Sequence, residues 1–330
     1  MIKYGIIGRN FVVDMMLAAM AAVPDAAKPV AIYSRNMADA AEFMKSHELQ
    51  YACDDLASLA NYPEINAVYI ASPNACHYEQ AKLMLESGKH VLCEKPAASN
   101  ADQVRKLVHL AEEKNLIFLE AMRPVYGDIL QIVQQNIPHI APLRQVQIYY
   151  GKPSSRLKRF LSGENVNTFN PALSNAAIMD LGCYGIHSLV HLFGKPESVS
   201  AQAVHLDNGF EAYGTVLMRY PEFVAEVSYS KVNLLDIPCF LNGDKGMICF
   251  DTVNDTKRIL LQMYGELAVD LNYSPYQPND MVCELKAFDR FVMNGIRPVK
   301  ENQNSIITSE IIDEARRQTN TLFPSDGKSI

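Results

Sequence analysis

Short apolar runs alternate with helical patterns over the first third of the chain. The run Lys3–Gly8 has no polar alternation, which is typical of a parallel strand buried on both faces, and Phe11–Ala22 follows with helical spacing. The same alternation continues through strands at Pro29–Ser34, Ile65–Ala71, His90–Cys93 and Ile117–Glu120, and helices at Met37–His47, His77–Ser87 and Ala101–Lys114. Strands and helices in this order predict an α/β domain with a doubly wound parallel sheet.

The pattern changes near Arg144, after which strands mostly follow one another without helices between them. Apolar runs flank the turn Asn242–Gly246, which predicts a hairpin. The other predicted strands are Gln145–Tyr150, Ser198–His205, Tyr213–Tyr220, Val224–Val232 and Lys257–Met263, and two helices follow at Asp280–Met293 and Ser305–Thr319. The chain of 330 residues is therefore predicted to form a first domain over residues 1–122 and an α+β domain with a large, mostly antiparallel sheet over residues 123–330.

Composition narrows the classes of function. Apolar residues make up 48% and charged residues 20% of the chain, as in ordinary globular proteins, and the net charge of −7 argues against nucleic acid as a partner. No run approaches the roughly 20 apolar residues of a membrane span, so no membrane partner is expected. The seven cysteines are widely spaced and no pair has metal-ligand spacing. Free thiols in the cytoplasm and no metal site are the predictions.

The segment Gly5–Asn10 ends a strand and precedes a helix, where a Rossmann-like domain binds the pyrophosphate of a dinucleotide. Only Gly8 is in register with the G-x-G-x-x-G pattern, because Asn10 and Val13 replace the second and third glycines. Asn tolerates left-handed backbone angles, so Asn10 is expected to preserve the turn geometry. A purely structural turn is the alternative. The predicted cofactor contacts here are Gly8, Arg9, Asn10 and Phe11.

The end of the second strand indicates which dinucleotide binds. An acidic residue there would hold the ribose hydroxyls of NAD, whereas this strand ends in Ser34 and Arg35 with no carboxylate. A hydroxyl and a guanidinium fork suit a 2′-phosphate, which favours NADP, with NAD possible. The alternative is a solvated arginine at a strand end.

A charged tripeptide, Glu94-Lys95-Pro96, follows directly after a buried strand. Because the carboxyl ends of parallel strands face the ligand crevice, Lys95 is expected at the site. Together with Ser72-Pro73-Asn74, His77 and the segment Glu120–Pro124, this tripeptide resembles the Gfo/Idh/MocA family of oxidoreductases. The most specific match is Asp180–His187, preceded by Phe169-Asn170-Pro171, and the resemblance extends to the hairpin and to Asn279–Val282.

The resemblance implies catalytic roles for Lys95, Asp180 and Tyr184. Lys95 and Asp180 match the family's lysine and aspartate, and Tyr184 stands where inositol dehydrogenase types carry a histidine, as in its dihydrodiol and aldose dehydrogenases. The i, i+4 spacing places Asp180 and Tyr184 on one helical face. A lysine ammonium beside a tyrosine lowers the pKa of the phenol, so Lys95 and Tyr184 would form the acid/base pair. Asp180 would orient the substrate or Lys95.

The resemblance also implies cofactor contacts from residues of the first domain, namely Ser72, Pro73, Asn74, His77, Glu94, Lys95 and Arg123. His77 is interpreted either as a ligand contact or as a structural residue, and His187 as a wall of the pocket. This chain departs from the family at Asn175-Ala176-Ala177, where glycines are common.

The sequence thus predicts an NAD(P)-dependent dehydrogenase or reductase that transfers hydride to or from a CH–OH or C=O carbon. The substrate would be a small sugar, cyclic polyol or dihydrodiol, and the segment Tyr149–Asn170 is expected to help select it. The family implies a homodimer or higher homo-oligomer through the second-domain sheet. The alternative is a regulatory protein that binds NADP(H) or a sugar without turnover.

Overall fold

The computed structural model describes residues 1–254, 256–271 and 281–327. They form two compact units, Met1–Tyr126 with Gln277–Ile306, and Gly127–Tyr276 with Ile307–Ile330. The helices are α1 Phe11–Ala21, α2 Met37–Ser46, α3 Leu56–Ala60, α4 Asn74–Glu86, α5 Ala101–Lys114, α6 Ile129–Ile140, α7 Leu157–Leu161, α8 Cys183–Phe193, α9 Met281–Asn294 and α10 Val299–Thr319. Asn279 and Asp280, at the start of the last-but-one predicted helix, lie outside the described residues.

The first unit contains a six-stranded parallel sheet in the order β3-β2-β1-β4-β5-β6. Its strands are β1 Ile2–Ile7, β2 Ala27–Tyr33, β3 Tyr51–Cys53, β4 Ala67–Ile70, β5 His90–Glu94 and β6 Phe118–Ala121. One apolar core joins the sheet to α1, and a second joins it to α4 and α5. Strand order reverses between β1 and β4, which is the switch point where doubly wound sheets bind ligands. The predicted fold class of this unit is confirmed.

Helix α9 belongs to the first unit, although the sequence was interpreted as placing all residues after 122 in the second domain. Its apolar residues Val282, Leu285 and Phe288 are fully buried in the same core as Ile2 and Tyr4 of β1. Tyr4 also donates a hydrogen bond to the Asp289 carboxylate of this helix. This segment therefore packs with the first unit, and a chain that returns to its first core gives no local signal of that return in the sequence.

The second unit contains an eight-stranded sheet in the order β14-β13-β12-β11-β7-β10-β9-β8. Strands β7 and β10 are parallel and the other neighbouring strands are antiparallel. The strands are β7 Leu143–Gly151, β8 Ser198–His205, β9 Glu211–Arg219, β10 Val224–Ser230, β11 Cys239–Gly243, β12 Gly246–Phe250, β13 Ile259–Met263 and β14 Val269–Asp270. The predicted hairpin is β11–β12, and the predicted α+β class is confirmed.

A continuous helical segment crosses the core side of this sheet. A π-helical turn, Ile178–Gly182, runs directly into α8. Contrary to the expectation from the sequence, the stretch Pro171–Phe193 is, at 23 residues, long and apolar enough to match a membrane span by length and composition. Its most apolar window is 78% buried inside the protein, which is typical of a core helix.

Two glycines let this helical segment lie close to the sheet. A Cβ atom on Gly182 would lie 2.8 Å from Cδ1 of Tyr229, and one on Gly185 would lie 2.7 Å from Cγ1 of Val227 and 2.9 Å from Cγ2 of Ile148. These separations are shorter than van der Waals contact, so a larger residue would push the helix off β10 and β7. The glycines at 182 and 185 are therefore required by packing.

We predict that Gly185→Ala lowers the free energy of unfolding by about 1–3 kcal/mol, because the added methyl group overpacks the helix–sheet contact. The loss should occur even though alanine is the better helix former. Gly127→Ala is the matched control, since its Cβ would meet no atom within 4 Å. Urea unfolding of both variants measures the difference. A Gly185→Ala protein as stable as the wild type would contradict the packing argument.

Candidate active site

Gly8 closes the turn between β1 and α1 in a conformation that only glycine adopts easily. Its φ is +119°, and a Cβ atom there would lie 2.5 Å from the carbonyl oxygen of Ala71. The backbone of this turn thus runs directly against the residue that follows β4. In doubly wound domains this turn between the first strand and the first helix is where a diphosphate binds.

Asn10 does not adopt the left-handed conformation expected from the sequence, because its φ is −93° and its ψ is 173°. Instead it is the N-cap of α1, and its side-chain oxygen accepts hydrogen bonds from the backbone N–H groups of Val12 at 3.0 Å and Val13 at 3.3 Å. Its Nδ2 donates to the Ala71 oxygen at 2.8 Å. Phe11 is 69% exposed, whereas Val13 is fully buried in the core. A helix-capping asparagine thus occupies the position of the second glycine in the G-x-G-x-x-G pattern.

The end of β2 presents the residues predicted to bind a 2′-phosphate. Ser34 follows the strand and donates its backbone N–H to the Cys53 oxygen at 3.1 Å, while Arg35 is exposed. Arg9, from the neighbouring turn, forms an ion pair of 2.6 Å with Asp39 in the first turn of α2. The guanidinium groups of Arg9 and Arg35 therefore both lie near the end of β2, and the Arg9 group is already paired with the carboxylate of Asp39. The glycine turn before α1 and these cations fit a phosphorylated dinucleotide.

His77 links the loops that follow β4 and β5. The ring is 1% exposed, and its nitrogens lie 2.8 Å from the Pro96 oxygen and 2.9 Å from the Ser72 oxygen. Burial lowers the pKa of His77, against the opposing effect of the two carbonyl acceptors. Ser72 also donates to Gln80 at 2.6 Å, and Pro73 and Asn74 begin α4. Of the two interpretations of His77, the structural one agrees with this geometry.

Lys95 follows β5 among buried acidic groups of the first unit. Tyr69 donates a hydrogen bond of 2.6 Å to Glu94. Burial raises the pKa of Glu94, and this effect is partly offset by the hydrogen bond from Tyr69 and by the charges of Lys95 and Arg123. Glu120 accepts from the backbone N–H of Ala97 at 2.9 Å, and burial raises its pKa as well. Lys95 and Arg123 are therefore the cations that offset buried carboxylates at the end of this sheet.

In the second unit, a buried carboxylate anchors the helical segment that carries Asp180. Glu211 of β9 is 1% exposed; one of its oxygens accepts from the backbone N–H of Ile178 at 2.9 Å and the other from the Tyr229 hydroxyl at 2.6 Å. Burial raises the pKa of Glu211 to about 7. Because the carboxylate binds the first N–H groups of the π-helical turn, it sets where Asp180 lies.

Tyr184 lies one helical turn after Asp180, and its ring packs edge-on against Tyr150 with centroids 5.7 Å apart. The hydroxyl of Tyr150 accepts a hydrogen bond of 3.2 Å from Asn254. His187 is 2% exposed, and burial, with a smaller effect of His191, lowers its pKa to about 3. A neutral imidazole at physiological pH agrees with the interpretation of His187 as a wall and not as the acid.

Lys231 contacts Asp180 directly, and no local pattern in the sequence indicates this contact. Its Nζ forms an ion pair with Oδ2 of Asp180, and the lysine side chain is only 13% exposed. Lys231 follows β10, and a single lysine at the end of a strand is normally a surface residue. Only the pairing of β10 with β9 and the position of the π-helical turn bring the two groups together. Among the described residues, no group of three or more His, Cys, Asp or Glu side chains could hold a metal ion.

Family models match both halves of the chain. The model GFO_IDH_MocA, described as an oxidoreductase family with an NAD-binding Rossmann fold, matches residues 2–122. The GFO/IDH/MocA C-terminal domain model matches residues 139–249.

Whole-length relatives are similar throughout. The chain is 34% identical to scyllo-inositol 2-dehydrogenase (NADP(+)) IolU of Bacillus subtilis (strain 168), over 99% of each chain. It is 25% identical to trans-1,2-dihydrobenzene-1,2-diol dehydrogenase of Xenopus laevis, over 98% of this chain and 99% of the relative. The fold is similar to that of KijD10, a 3-ketoreductase from Actinomadura kijaniata solved with NADP and TDP-benzene, with a TM-score of 0.85 at 20% identity over 96% and 98% of the two chains.

We predict that Glu211→Gln flattens the pH dependence of stability. The folded protein binds the Glu211 proton more tightly than the unfolded chain does, so this group's stabilising contribution is lost as pH rises from about 4.5 through about 7. The wild type should lose up to about 3 kcal/mol of unfolding free energy relative to the variant over that range. Urea unfolding at several pH values measures it. Glu222→Gln, at an exposed carboxylate, is the control, and parallel profiles for all three proteins would contradict the prediction.

Proposed function

Because the chain belongs to the GFO/IDH/MocA family of oxidoreductases, we propose that it is an NADP-dependent dehydrogenase or reductase of a cyclic polyol, sugar or dihydrodiol. Membership confirms the family resemblance and the prediction of a nicotinamide-dependent enzyme. The observation that carries the proposal is the Asp180–Tyr184 pair on an anchored helical segment, together with Lys95 at the end of β5. A regulatory protein without turnover would not need this set of ionisable groups.

Two relatives support the class of substrate. One is named for oxidation of scyllo-inositol with NADP(+), and the other for a trans-dihydrodiol of benzene. Both compounds are six-membered rings that carry a secondary alcohol beside another hydroxyl group. We therefore place a vicinal hydroxyl compound of this size first among candidate substrates, ahead of open-chain alcohols.

The proposed chemistry assigns one task to each residue. Bound NADP supplies the hydride acceptor for oxidation, and NADPH the donor for reduction. Tyr184 takes the proton of the substrate hydroxyl in the oxidation and returns it to the carbonyl oxygen in the reduction. The ammonium of Lys95 would stabilise the negative charge that develops on the substrate oxygen. Asp180 accepts a hydrogen bond from a substrate hydroxyl and so fixes which carbon reacts.

The proposed cofactor contacts follow the carboxyl ends of the strands. The α1 N-terminus, with Gly8, Arg9, Asn10 and Phe11, would hold the diphosphate, and Ser34 with Arg35 the 2′-phosphate. Ser72, Pro73, Asn74, Glu94 and Arg123 would line the nicotinamide side, with His77 holding their loops in place. Arg9 reaches the same edge as Arg35 through its ion pair with Asp39, so it would add charge to the 2′-phosphate side.

We also propose a homodimer and a cytoplasmic location. The open face of the second-unit sheet carries apolar side chains that are 42–47% exposed, at Val204, Tyr213, Leu217 and Val224. Such a patch supports pairing of two copies through this face. Within the described residues the seven cysteines form no disulfide, which agrees with a reducing compartment.

We predict that Lys95→Met removes turnover while NADPH binding is retained. Loss of the ammonium that would stabilise charge on the substrate oxygen should lower kcat by roughly 10²- to 10⁴-fold. Assays with NADP and a panel of inositols, aldoses and dihydrodiols first identify a substrate for the wild type, and NADPH fluorescence measures binding. Lys114→Met, an exposed lysine at the end of α5, is the control. Full turnover by Lys95→Met would refute the assignment.

We predict that Arg35→Asp shifts the cofactor preference from NADP toward NAD. Removing charge-assisted hydrogen bonds to the 2′-phosphate should lower kcat/KM with NADP by roughly tenfold to hundredfold, and the new carboxylate can bind the ribose hydroxyls of NAD. Lys45→Asp makes the same charge change at the other end of α2 and should leave the ratio unchanged. An unchanged ratio in Arg35→Asp would show that the 2′-phosphate is bound elsewhere.

A further inference from the structure

The backbone of Lys231 is held on both sides, although the residue lies just beyond the end of β10. Its N–H donates to the Ala212 oxygen at 2.9 Å, and its carbonyl accepts from the N–H of Ser154 at 3.0 Å. The first bond ties Lys231 to β9 and the second to the segment that follows β7. The base of the side chain is therefore fixed by two neighbouring segments of the sheet region, which distinguishes it from an ordinary surface lysine.

The side chain of Lys231 is withdrawn from water and reaches Asp180. It is 13% exposed against 36% for Asp180, and the two groups form a direct ion pair. An exposed pair of this kind contributes little to stability, but a buried ammonium needs a partner, and removing one member leaves an uncompensated charge. The partner lies on the π-helical turn that Glu211 anchors from the other side. Asp180 is thus held by its backbone and by its carboxylate.

We propose that Lys231 is a positioning residue for Asp180 in the proposed reaction. Its ammonium holds the carboxylate ionised and in one orientation, with Oδ2 bound to Lys231, so that Asp180 serves as a hydrogen-bond acceptor for a substrate hydroxyl. Because a paired carboxylate is a poor proton acceptor, proton transfer is left to Tyr184. Lys231 therefore acts on substrate orientation through Asp180 and does not touch the reacting atoms. The inference rests on the proposed function for its kinetic consequence.

The kinetic test compares Lys231→Met in two backgrounds. In the wild-type background we expect KM to rise and kcat/KM to fall by roughly tenfold to hundredfold, with NADPH binding unchanged. In an Asp180→Asn background the same substitution should change kcat/KM less than about twofold, because the group through which Lys231 acts is gone. Lys231→Arg, which keeps the cation, should restore most of the loss, and Lys245→Met, at an exposed lysine in the turn between β11 and β12, should have no effect.

Two outcomes would overturn the inference. Equal losses in both backgrounds would mean that Lys231 acts independently of Asp180, either on the substrate or on the fold. A loss confined to kcat, with KM unchanged and no rescue by arginine, would mean that the lysine takes part in proton transfer.

A measurement without substrate separates failure of this inference from failure of the proposed function. In cofactor-free protein, urea unfolding of Lys231→Met, Asp180→Asn and the double variant gives the coupling between the two side chains. If the two substitutions acted independently, their effects on the unfolding equilibrium constant would multiply. We expect the constant of the double variant to be roughly tenfold smaller than that product. If the two side chains are coupled in stability but no substrate is turned over, the proposed function alone is refuted. If their effects on stability are independent, the Lys231–Asp180 interaction itself is refuted.

Discussion

The arrangement of the second unit depends on the buried carboxylate of Glu211. A buried carboxylate is costly unless hydrogen bonds replace its hydration, and this one receives a backbone N–H from Ile178 and the hydroxyl of Tyr229. The same tyrosine ring packs where Gly182 offers no side chain. One group thus joins β9, β10 and the start of the helical segment. Asp180 is two residues from that junction, so its position follows from a hydrogen-bond requirement in the core.

In the first unit, hydrogen bonds from polar side chains join neighbouring loops. Asn10 binds the oxygen of Ala71, and His77 contacts the oxygens of Ser72 and Pro96. The loops after β1, β4 and β5 are therefore joined by three side-chain contacts at the carboxyl end of the sheet. Since Lys95 lies in the last of these loops, its position is coupled to the turn that would hold the diphosphate. A rigid link of this kind keeps distant parts of one bound molecule in register.

The features that could be predicted from sequence were those with a local signal. Buried strands such as Lys3–Gly8 and the hairpin at Asn242–Gly246 were visible as uninterrupted apolar runs and turn residues, and the motif residues came from the family resemblance. The strand Tyr51–Cys53 and the helix Leu56–Ala60 were missed because three and five residues are too few to show a period. The return of α9 to the first unit and the contact of Lys231 with Asp180 depend on chain topology, which no local window contains. Asn10 was identified as the unusual residue of the turn, but its helix cap was mistaken for a left-handed turn residue.

That cap has a consequence for how binding free energy is distributed along the cofactor. By accepting from Val12 and Val13, the Asn10 side chain occupies two backbone donors that a glycine at this position would leave to the ligand. The diphosphate is common to NAD and NADP, so the loss of these two donors would weaken the binding of both cofactors equally and leave their discrimination to the one phosphate that NADP alone carries. A cofactor held by fewer donors at its diphosphate would dissociate faster, which would favour exchange of the spent form for the fresh one.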